Sequence, residues 1–150
     1  MFKTILLCYD GSREGRAVLT DGAELARRFG AAAHLLAVIR PNAGAVIAEA
    51  MLGEGAFAET GRAAEEILHE GTAKLASMGL KAQGHVVIGD PVEEIAAAAR
   101  RLGADLIVLG HRPRGPLARW WQSSVGSSLL EEAPCSILVA IEAGPDRAQA

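Results

Sequence analysis

Strand-sized apolar runs alternate with helical segments along the whole chain, and this alternation constrains the fold more than any other feature. The runs are short and nearly continuous, as is typical of strands that are covered on both faces. They span Thr4 to Tyr9, Ala33 to Ile39, Lys81 to Ile88, Asp105 to Leu109 and Ser136 to Ile141. Strands that alternate with helices form a parallel sheet, because the right-handed crossovers cover it. The sequence therefore predicts a doubly wound α/β fold, a parallel sheet with helices on both faces.

Capping residues and helix breakers predict where the helices begin and end. Ser12 can cap a first helix, which Gly30 stops. An apolar stripe over residues 64–78 predicts a second helix. A third helix begins at Asp90-Pro91, a good cap followed by the residue that suits the first helical position, and it ends at Gly103.

The remaining segments are less determined by the sequence. The stretch 41–61 is rich in Ala and Gly and could fold as a helix, a lid or a mobile loop. Ser123 or Ser124 can open a short helix through Glu132. At 150 residues the chain has the length of a single domain, which we expect at 1–142, followed by a frayed tail at 143–150.

Composition and charge argue against several classes of protein. A formal net charge of −3 provides no basic face for nucleic acid. The apolar runs fall short of the ~20 residues that cross a bilayer. The N-terminus lacks a signal-type apolar region, so we expect a cytoplasmic protein without membrane contact. Cys8 and Cys135 lie in or beside apolar strands, where free cysteines pack as small buried hydrophobes.

The richest polar loops follow the first and fourth predicted strands. In an open parallel sheet, ligands bind beyond the carboxyl ends of the strands, where the strand order reverses. If the first strand lies beside the fourth, the turn at residues 9–12 and the loop from Gly110 to Val125 meet there. The loop carries basic and hydroxyl side chains, namely His111, Arg112, Arg114, Arg119, Ser123 and Ser124. Arginines beside a helix N-terminus favour a phosphate or other anion, although the same residues could be a solvated surface with capping serines.

Signatures of catalysis and of metal binding are missing from the sequence. The chain has no Walker A loop, no dinucleotide-binding glycine motif, no C-x-x-C and no H-E-x-x-H. Its four histidines, His34, His69, His85 and His111, lack the spacing of metal ligands. Residues 122–126 come nearest to a nucleophile elbow but lack its first glycine. We therefore expect no catalytic residues, no metal centre and little or no turnover.

Three stretches, in the right order, resemble the universal stress protein family. Residues 3–12 (KTILLCYDGS) are similar to the family's first strand and its Asp-Gly-Ser turn. Gly89-Asp90-Pro91 with Ile95 is similar to its Gly-x-Pro-x-x-x-Ile helix start, and residues 104–110 (ADLIVLG) are similar to its fourth strand. The resemblance implies a five-stranded sheet of order 3-2-1-4-5, of the adenine nucleotide alpha hydrolase-like type. It also implies a homodimer paired through the last strand, Ser136 to Ile141.

The same resemblance implies a ligand, ATP or a related adenine nucleotide, with or without Mg²⁺. The nucleotide-binding branch of the family carries G-x-x-G, nine residues, then G-[ST]. On this chain Gly110, Pro113, Ser123 and Ser124 occupy those positions, so two of the three glycines are replaced. Pro113 removes one N–H, and Ser123 adds a Cβ where the backbone would approach the ligand. Both changes weaken binding, whereas charge-assisted contacts from Arg112 and Arg114 could offset a lost neutral hydrogen bond.

By this resemblance, the base end of the nucleotide would lie at the ends of the first two strands. Asp10 would contact the adenine or the ribose, and Val38 would line the base pocket. Cys8 and Tyr9 would flank it. Each of these residues could instead be an ordinary core or turn residue.

Two functions follow from these observations. The first is a nucleotide-binding regulatory protein that signals through its dimer. The second is a dimeric interaction module of the branch that does not bind ATP, whose altered loop contacts a protein partner or another anion. Trp120 and Trp121 stand where the family usually has aliphatic residues, and they could pack beneath the loop or form a partner surface.

Overall fold

The computed structural model describes residues 1–13, 15–41, 55–111 and 129–142, together with positions 44, 47, 50, 51 and 53. The strands are β1 (Thr4–Tyr9), β2 (Ala32–Ile39), β3 (Ala82–Ile88), β4 (Leu106–Gly110) and β5 (Ser136–Ala140). The helices are α1 (Arg16–Phe29), α2 (Gly55–Ser77) and α3 (Pro91–Leu102). All five predicted strands are therefore present, each within one residue of its predicted ends.

The five strands form one parallel sheet in the order β3-β2-β1-β4-β5. This confirms the predicted doubly wound fold and its strand order. β1 lies in the middle, with Ile5 opposite Ala33 of β2 on one side and Leu106 of β4 on the other. The chain moves to one side of β1 after that strand and returns to the other side at β4. The turn after β1 and the residues after β4 therefore lie at the same edge of the sheet.

Two apolar layers hold the helices on opposite faces of the sheet. Alternate residues of β1 point to opposite faces, as the period of a strand requires. Ile5 and Leu7 pack in the layer that includes α1 and part of α2, whereas Leu6 and Cys8 pack in the layer that includes α3. Ile5, Leu6 and Leu7 are fully buried. Burial of one such side chain stabilises the fold by about 1.5–3 kcal/mol, so the centre of the sheet anchors both layers.

The cap of α3 follows the sequence prediction. Asp90 Oδ1 accepts hydrogen bonds from the backbone N–H groups of Val92 (3.0 Å) and Glu93 (3.3 Å). Pro91 occupies the first turn, and Gly103 ends the helix in the left-handed region with φ of 65°. The cap satisfies two N–H groups that have no partner within the helix.

The predicted cap of α1 is wrong. Gly15 precedes the helix, and no side chain caps it. Ser12 lies one turn before the helix begins. Its own N–H donates to Asp10 Oδ1 (2.9 Å), and its hydroxyl accepts from the Gly15 N–H (2.9 Å). Ser12 therefore belongs to the turn after β1. The predicted stop is confirmed, since Gly30 ends α1 with φ of 61°.

Several other predictions fall partly outside the described residues. In the stretch 41–61, the backbone is helical at positions 44, 47, 50 and 51 and again from Gly55, where α2 begins. Residues 129–132 are helical, whereas the predicted start of that helix at Ser123 or Ser124 and the tail 143–150 lie outside the described residues.

Both cysteines are free. None of the described helices is both long and apolar enough to cross a bilayer.

Candidate functional site

A pocket lies beyond the carboxyl ends of β1, β2 and β4, where the order of the sheet reverses. It contains about 310 Å³ of empty space, part of it open to solvent. Its lining residues are Cys8, Tyr9, Asp10, Val38, Ile95, Leu109 and Gly110. The part of this space that a water molecule can occupy is only about 20 Å³, so the described residues form a small open cleft and not an enclosed cavity of ligand size.

The floor of the pocket is apolar. Cys8, Val38, Ile95 and Leu109 belong to or pack against the layer between the sheet and α3. Burial raises the pKa of the Cys8 thiol, so at neutral pH the thiol is protonated and uncharged. An uncharged floor that is built on strands and one helix suits a flat apolar or heteroaromatic group, because the transfer of its apolar surface from water to such a floor is favourable.

Tyr9 lines the pocket while its ring packs on the opposite face of the sheet. The ring lies against α2, where a Cβ added to Gly71 would be 3.0 Å from Tyr9 Cδ1. The phenol O–H donates to Glu70 Oε1 at 3.2 Å. Burial, followed by the Glu70 carboxylate, raises the pKa of Tyr9. The ring therefore fixes the end of β1 from behind and is not part of the apolar floor.

The turn after β1 holds Asp10 at the mouth of the pocket. Asp10 Oδ1 accepts the Ser12 N–H at 2.9 Å, which fixes the carboxylate relative to the backbone. Gly11 has φ of 80°, and a Cβ there would lie 2.9 Å from Ile67 Cγ1 of α2. A Cβ on Gly15 would lie 2.9 Å from Asp10 Oδ1. The two glycines thus allow a tight turn that places a carboxylate beside an apolar floor.

The end of β4 forms the other side of the pocket. Gly110 pairs with Ala140 of β5, and the His111 N–H donates to the Ala140 carbonyl oxygen at 3.0 Å. The backbone is therefore held as far as His111, at the first residues of the predicted loop. The other predicted loop residues, Arg112, Arg114, Ser123, Ser124 and Val125, lie outside the described residues, as do Pro113, Trp120 and Trp121.

Comparison with known sequences identifies the family. The model of the universal stress protein family matches residues 1–140. The chain belongs to the universal stress protein family. One relative is the Thermus aquaticus protein called "Universal stress protein in QAH/OAS sulfhydrylase 3'region". The two sequences are 31% identical over 141 residues, which cover 93% of this chain and 98% of the relative.

Solved structures of universal stress proteins share the fold. One, in complex with cAMP, has a TM-score of 0.67 at 19% identity and covers 95% of this chain and 98% of its own. Another, from Archaeoglobus fulgidus in complex with dAMP, has a TM-score of 0.64 at 19% identity and covers 93% of this chain and 98% of its own. At this identity the likeness establishes the adenine nucleotide alpha hydrolase-like fold alone.

Two residues of the pocket in this universal stress protein are absent from the sequence prediction. The sequence places Leu109 in a strand and Ile95 near a helix start, and it predicts no site role for either residue. Leu109 lies on the same face as Cys8, and Ile95 reaches that face from α3. The period of two along β1 and β4, combined with the strand order, is the signal that would have found Leu109. Ile95 required the packing of α3 on the sheet.

Proposed function

We propose that this universal stress protein binds an adenine nucleotide in the pocket beyond β1, β2 and β4, and that it acts as a dimeric regulatory protein with little turnover. The observation that carries the proposal is the apolar floor beside the Asp10 turn, at the point where the sheet order reverses. Two universal stress proteins of the same fold were solved with adenine nucleotides, cAMP and dAMP.

Each part of the pocket suits one part of such a ligand. The uncharged floor offers Val38 and Leu109 to the faces or edges of a purine. Asp10, a carboxylate at the mouth, can accept hydrogen bonds from a ribose hydroxyl or from an exocyclic amino group. A hydrogen bond to a charged acceptor contributes about 1.5–3 kcal/mol, which is enough to favour a nucleoside over a simple aromatic ring.

The phosphate end of the ligand would meet the loop that begins at Gly110. His111, Arg112 and Arg114 offer donors and positive charge, with Ser123, Ser124 and Val125 further along the loop. This loop would bind the phosphates of ATP or a related nucleotide, with or without Mg²⁺. Since Pro113 and Ser123 replace glycines of the family motif, we expect weaker phosphate binding than in members that keep all three glycines.

Little turnover is expected from the described walls of the pocket. Hydrolysis needs a nucleophile, a base and a group that orients the base. Cys8, the thiol in the floor, is held in its protonated form by burial, which raises its pKa. Among the described lining residues, Asp10 is the one carboxylate, and it already accepts the Ser12 N–H. The pocket therefore suits binding better than bond cleavage.

Nucleotide content and affinity test this proposal. Untagged protein purified from cells is extracted with acid, and the extract is separated by chromatography to detect adenine nucleotides. Calorimetry then compares ATP, AMP and GTP. We expect adenine nucleotides to bind and to raise the melting temperature, and GTP to bind more weakly. No bound nucleotide and no binding at millimolar ATP would overturn the proposal.

Variants separate the two ends of the site. Val38→Trp fills the floor and should weaken ATP and AMP alike, whereas Val87→Trp, on the neighbouring strand and outside the lining, is the matched control. The double change Arg112→Ala and Arg114→Ala should weaken ATP at least ~10-fold, since it removes two charge-assisted contacts. The pair Arg27→Ala and Arg28→Ala on α1 is the control for net charge. Unchanged ATP affinity in the loop variant would contradict the assignment of the phosphate end.

The second candidate is a dimeric interaction module that does not bind ATP. Pro113 and Ser123, at two glycine positions of the motif, favour it. Its result in the same experiments is an empty extract and no effect of ATP. Trp120 and Trp121 would then be the first residues to change in a search for a protein partner.

The proposed homodimer pairs through the last strand. β5 is an edge strand, and Ile141 beside it is 47% exposed. We expect light scattering to give twice the monomer mass and Ile137→Lys with Ile141→Lys to give a monomer. If the unchanged protein is a monomer, the proposed dimer is overturned.

The cytoplasmic location belongs to the same proposal, and cell fractionation with an antibody tests it.

A further inference from the structure

Two histidines that are far apart in sequence meet on the sheet, away from the pocket. His34 of β2 lies opposite Gln83, and His85 of β3 lies opposite Leu36, so the two are diagonal neighbours on the face that α3 covers. His34 Nδ1 and His85 Nε2 are 3.0 Å apart. The ring centres are 5.2 Å apart, and the ring planes make an angle of 35°. The separation of 51 residues hides this pair from any motif search.

We propose that His34 and His85 form a binding site for one divalent late transition metal ion of the Cu²⁺, Ni²⁺ and Zn²⁺ class, with water completing its coordination. Imidazole nitrogen is a preferred ligand of these metals and a poor one for Mg²⁺ or Ca²⁺. Both side chains are partly exposed, so water can reach the metal.

The present geometry needs little change to hold a metal. At a tetrahedral ion with metal–nitrogen bonds of about 2.0–2.1 Å, two ligand nitrogens are roughly 3.3 Å apart and two imidazole centres roughly 5.2 Å apart. The ring centres of His34 and His85 already have this separation, and the nitrogens are 3.0 Å apart. Rotation of the rings, without movement of the strands, therefore turns a hydrogen-bonded pair into a chelating pair.

The protons of the pair also balance. One ring now donates its N–H to the other ring, and a metal needs a lone pair on both nitrogens. The donating ring must therefore move its hydrogen to its other nitrogen, a change of tautomer with no net loss of a proton. Partial burial lowers the pKa of both rings, which favours the neutral form that binds a metal.

The surroundings limit the affinity of the site. Among the described residues, no group of three or more His, Cys, Asp or Glu side chains is placed to hold a metal, so this part of the chain supplies the two imidazoles as its ligands. The charge of Arg101 on α3 acts on His85, where it lowers the pKa of the ring and would also repel a cation. We expect the order of affinity to follow Cu²⁺ over Ni²⁺ and Zn²⁺, with Mn²⁺ far weaker.

Calorimetric titration of the untagged full chain with each metal tests the proposal. We expect one site per chain, and we expect His34→Gln and His85→Gln each to weaken Ni²⁺ and Zn²⁺ binding at least ~10-fold, because each leaves a single ligand. His69→Gln, which removes an exposed histidine on α2, is the matched control and should bind as the unchanged protein does. Arg101→Gln should tighten binding, since it removes the repelling charge.

The nuclear magnetic resonance signals of the imidazoles provide a second readout. Zn²⁺ should shift the ring signals of His34 and His85 and leave those of His69 in place. Circular dichroism before titration establishes that each variant is folded. The proposal would be overturned if His34→Gln and His85→Gln bound Zn²⁺ as tightly as the unchanged protein does. Equal affinity for Mn²⁺ and Zn²⁺, or ring shifts confined to other histidines, would also overturn it.

Discussion

The contact between α2 and the end of β1 leaves no room for a methyl group at Gly71. A Cβ there would lie 2.6 Å from Leu35 Cδ2 and 3.0 Å from Tyr9 Cδ1. Leu35 is fully buried and Tyr9 is 3% exposed, so neither side chain can move away into solvent. Overpacking of this kind costs about 1–3 kcal/mol. We therefore expect Gly71→Ala to be destabilising, although alanine is the better helix former.

Gly61 of the same helix is the matched control. Within the part of the chain that the structure describes, no heavy atom lies within 4 Å of a Cβ added at Gly61. Gly61→Ala should therefore gain only the difference in helix propensity, about 0.8–1.0 kcal/mol of stability. The same gain is present in Gly71→Ala, so it cancels when the two variants are compared. The difference between them should be the steric cost alone, about 1–3 kcal/mol in favour of Gly61→Ala.

Urea unfolding followed by circular dichroism measures this difference. All proteins are compared at one concentration, because the stability of a dimer depends on it. The slope of the transition should not change, since neither variant alters the surface exposed on unfolding. If Gly71→Ala is as stable as Gly61→Ala, then α2 does not pack on Leu35 and Tyr9 as described, and the support that it provides to the pocket is refuted.

Three further predictions concern the cap of α3, the single tyrosine and the N-terminal strand. Asp90→Ala should cost about 1 kcal/mol in urea unfolding, since it removes the side-chain cap of α3. The tyrosinate absorbance of Tyr9, the one tyrosine of the chain, should titrate above the usual pKa of about 10 in the folded protein; Glu70→Gln should bring its pKa down. Asp105, whose pKa is lowered chiefly by the Lys3 backbone N–H, should stabilise the fold at neutral pH and lose this effect as the pH falls below about 4.

Each of the three has its own control. Asp90→Asn keeps an acceptor at the cap and should retain most of the stability. For Tyr9, the same titration in concentrated urea should return the ordinary pKa; because the folded pKa is the higher one, its stabilising effect is lost as the pH rises. For Asp105, the unchanged protein and Asp105→Asn should converge in urea midpoint toward acid pH. Parallel pH profiles would contradict that assignment, as an unshifted Tyr9 titration would contradict the Glu70 contact.

Local signals in the sequence account for most of the fold. The cap at Asp90 acts within one helical turn, so neighbouring residues suffice to predict it. Buried parallel strands are nearly continuous apolar runs, which a single sequence displays clearly. The prediction of a Ser12 cap is wrong because a serine hydroxyl can accept a hydrogen bond in more than one kind of turn. Here the Asp10 carboxylate accepts the Ser12 N–H and so favours the turn after β1.

Long-range features could not be read from the sequence in the same way. Ile95 belongs to the pocket only because α3 packs across the ends of the central strands. His34 and His85 meet because β2 and β3 are neighbours with a particular register. The resemblance to the family points to Asp10, Val38 and Gly110, and it also implies the strand order that brings them to one pocket.

The opposite orientations of Cys8 and Tyr9 restrict how this chain can change during evolution. One of these neighbours lies in the floor of the pocket, and the other supports the strand from behind through α2. Insertion or deletion of one residue within β1 would exchange the two faces, placing a bulky ring in the floor and a small thiol against α2. Changes of length should therefore be tolerated in the loops and selected against in β1, where the alternation of side chains between the two faces determines both the packing of the core and the lining of the pocket.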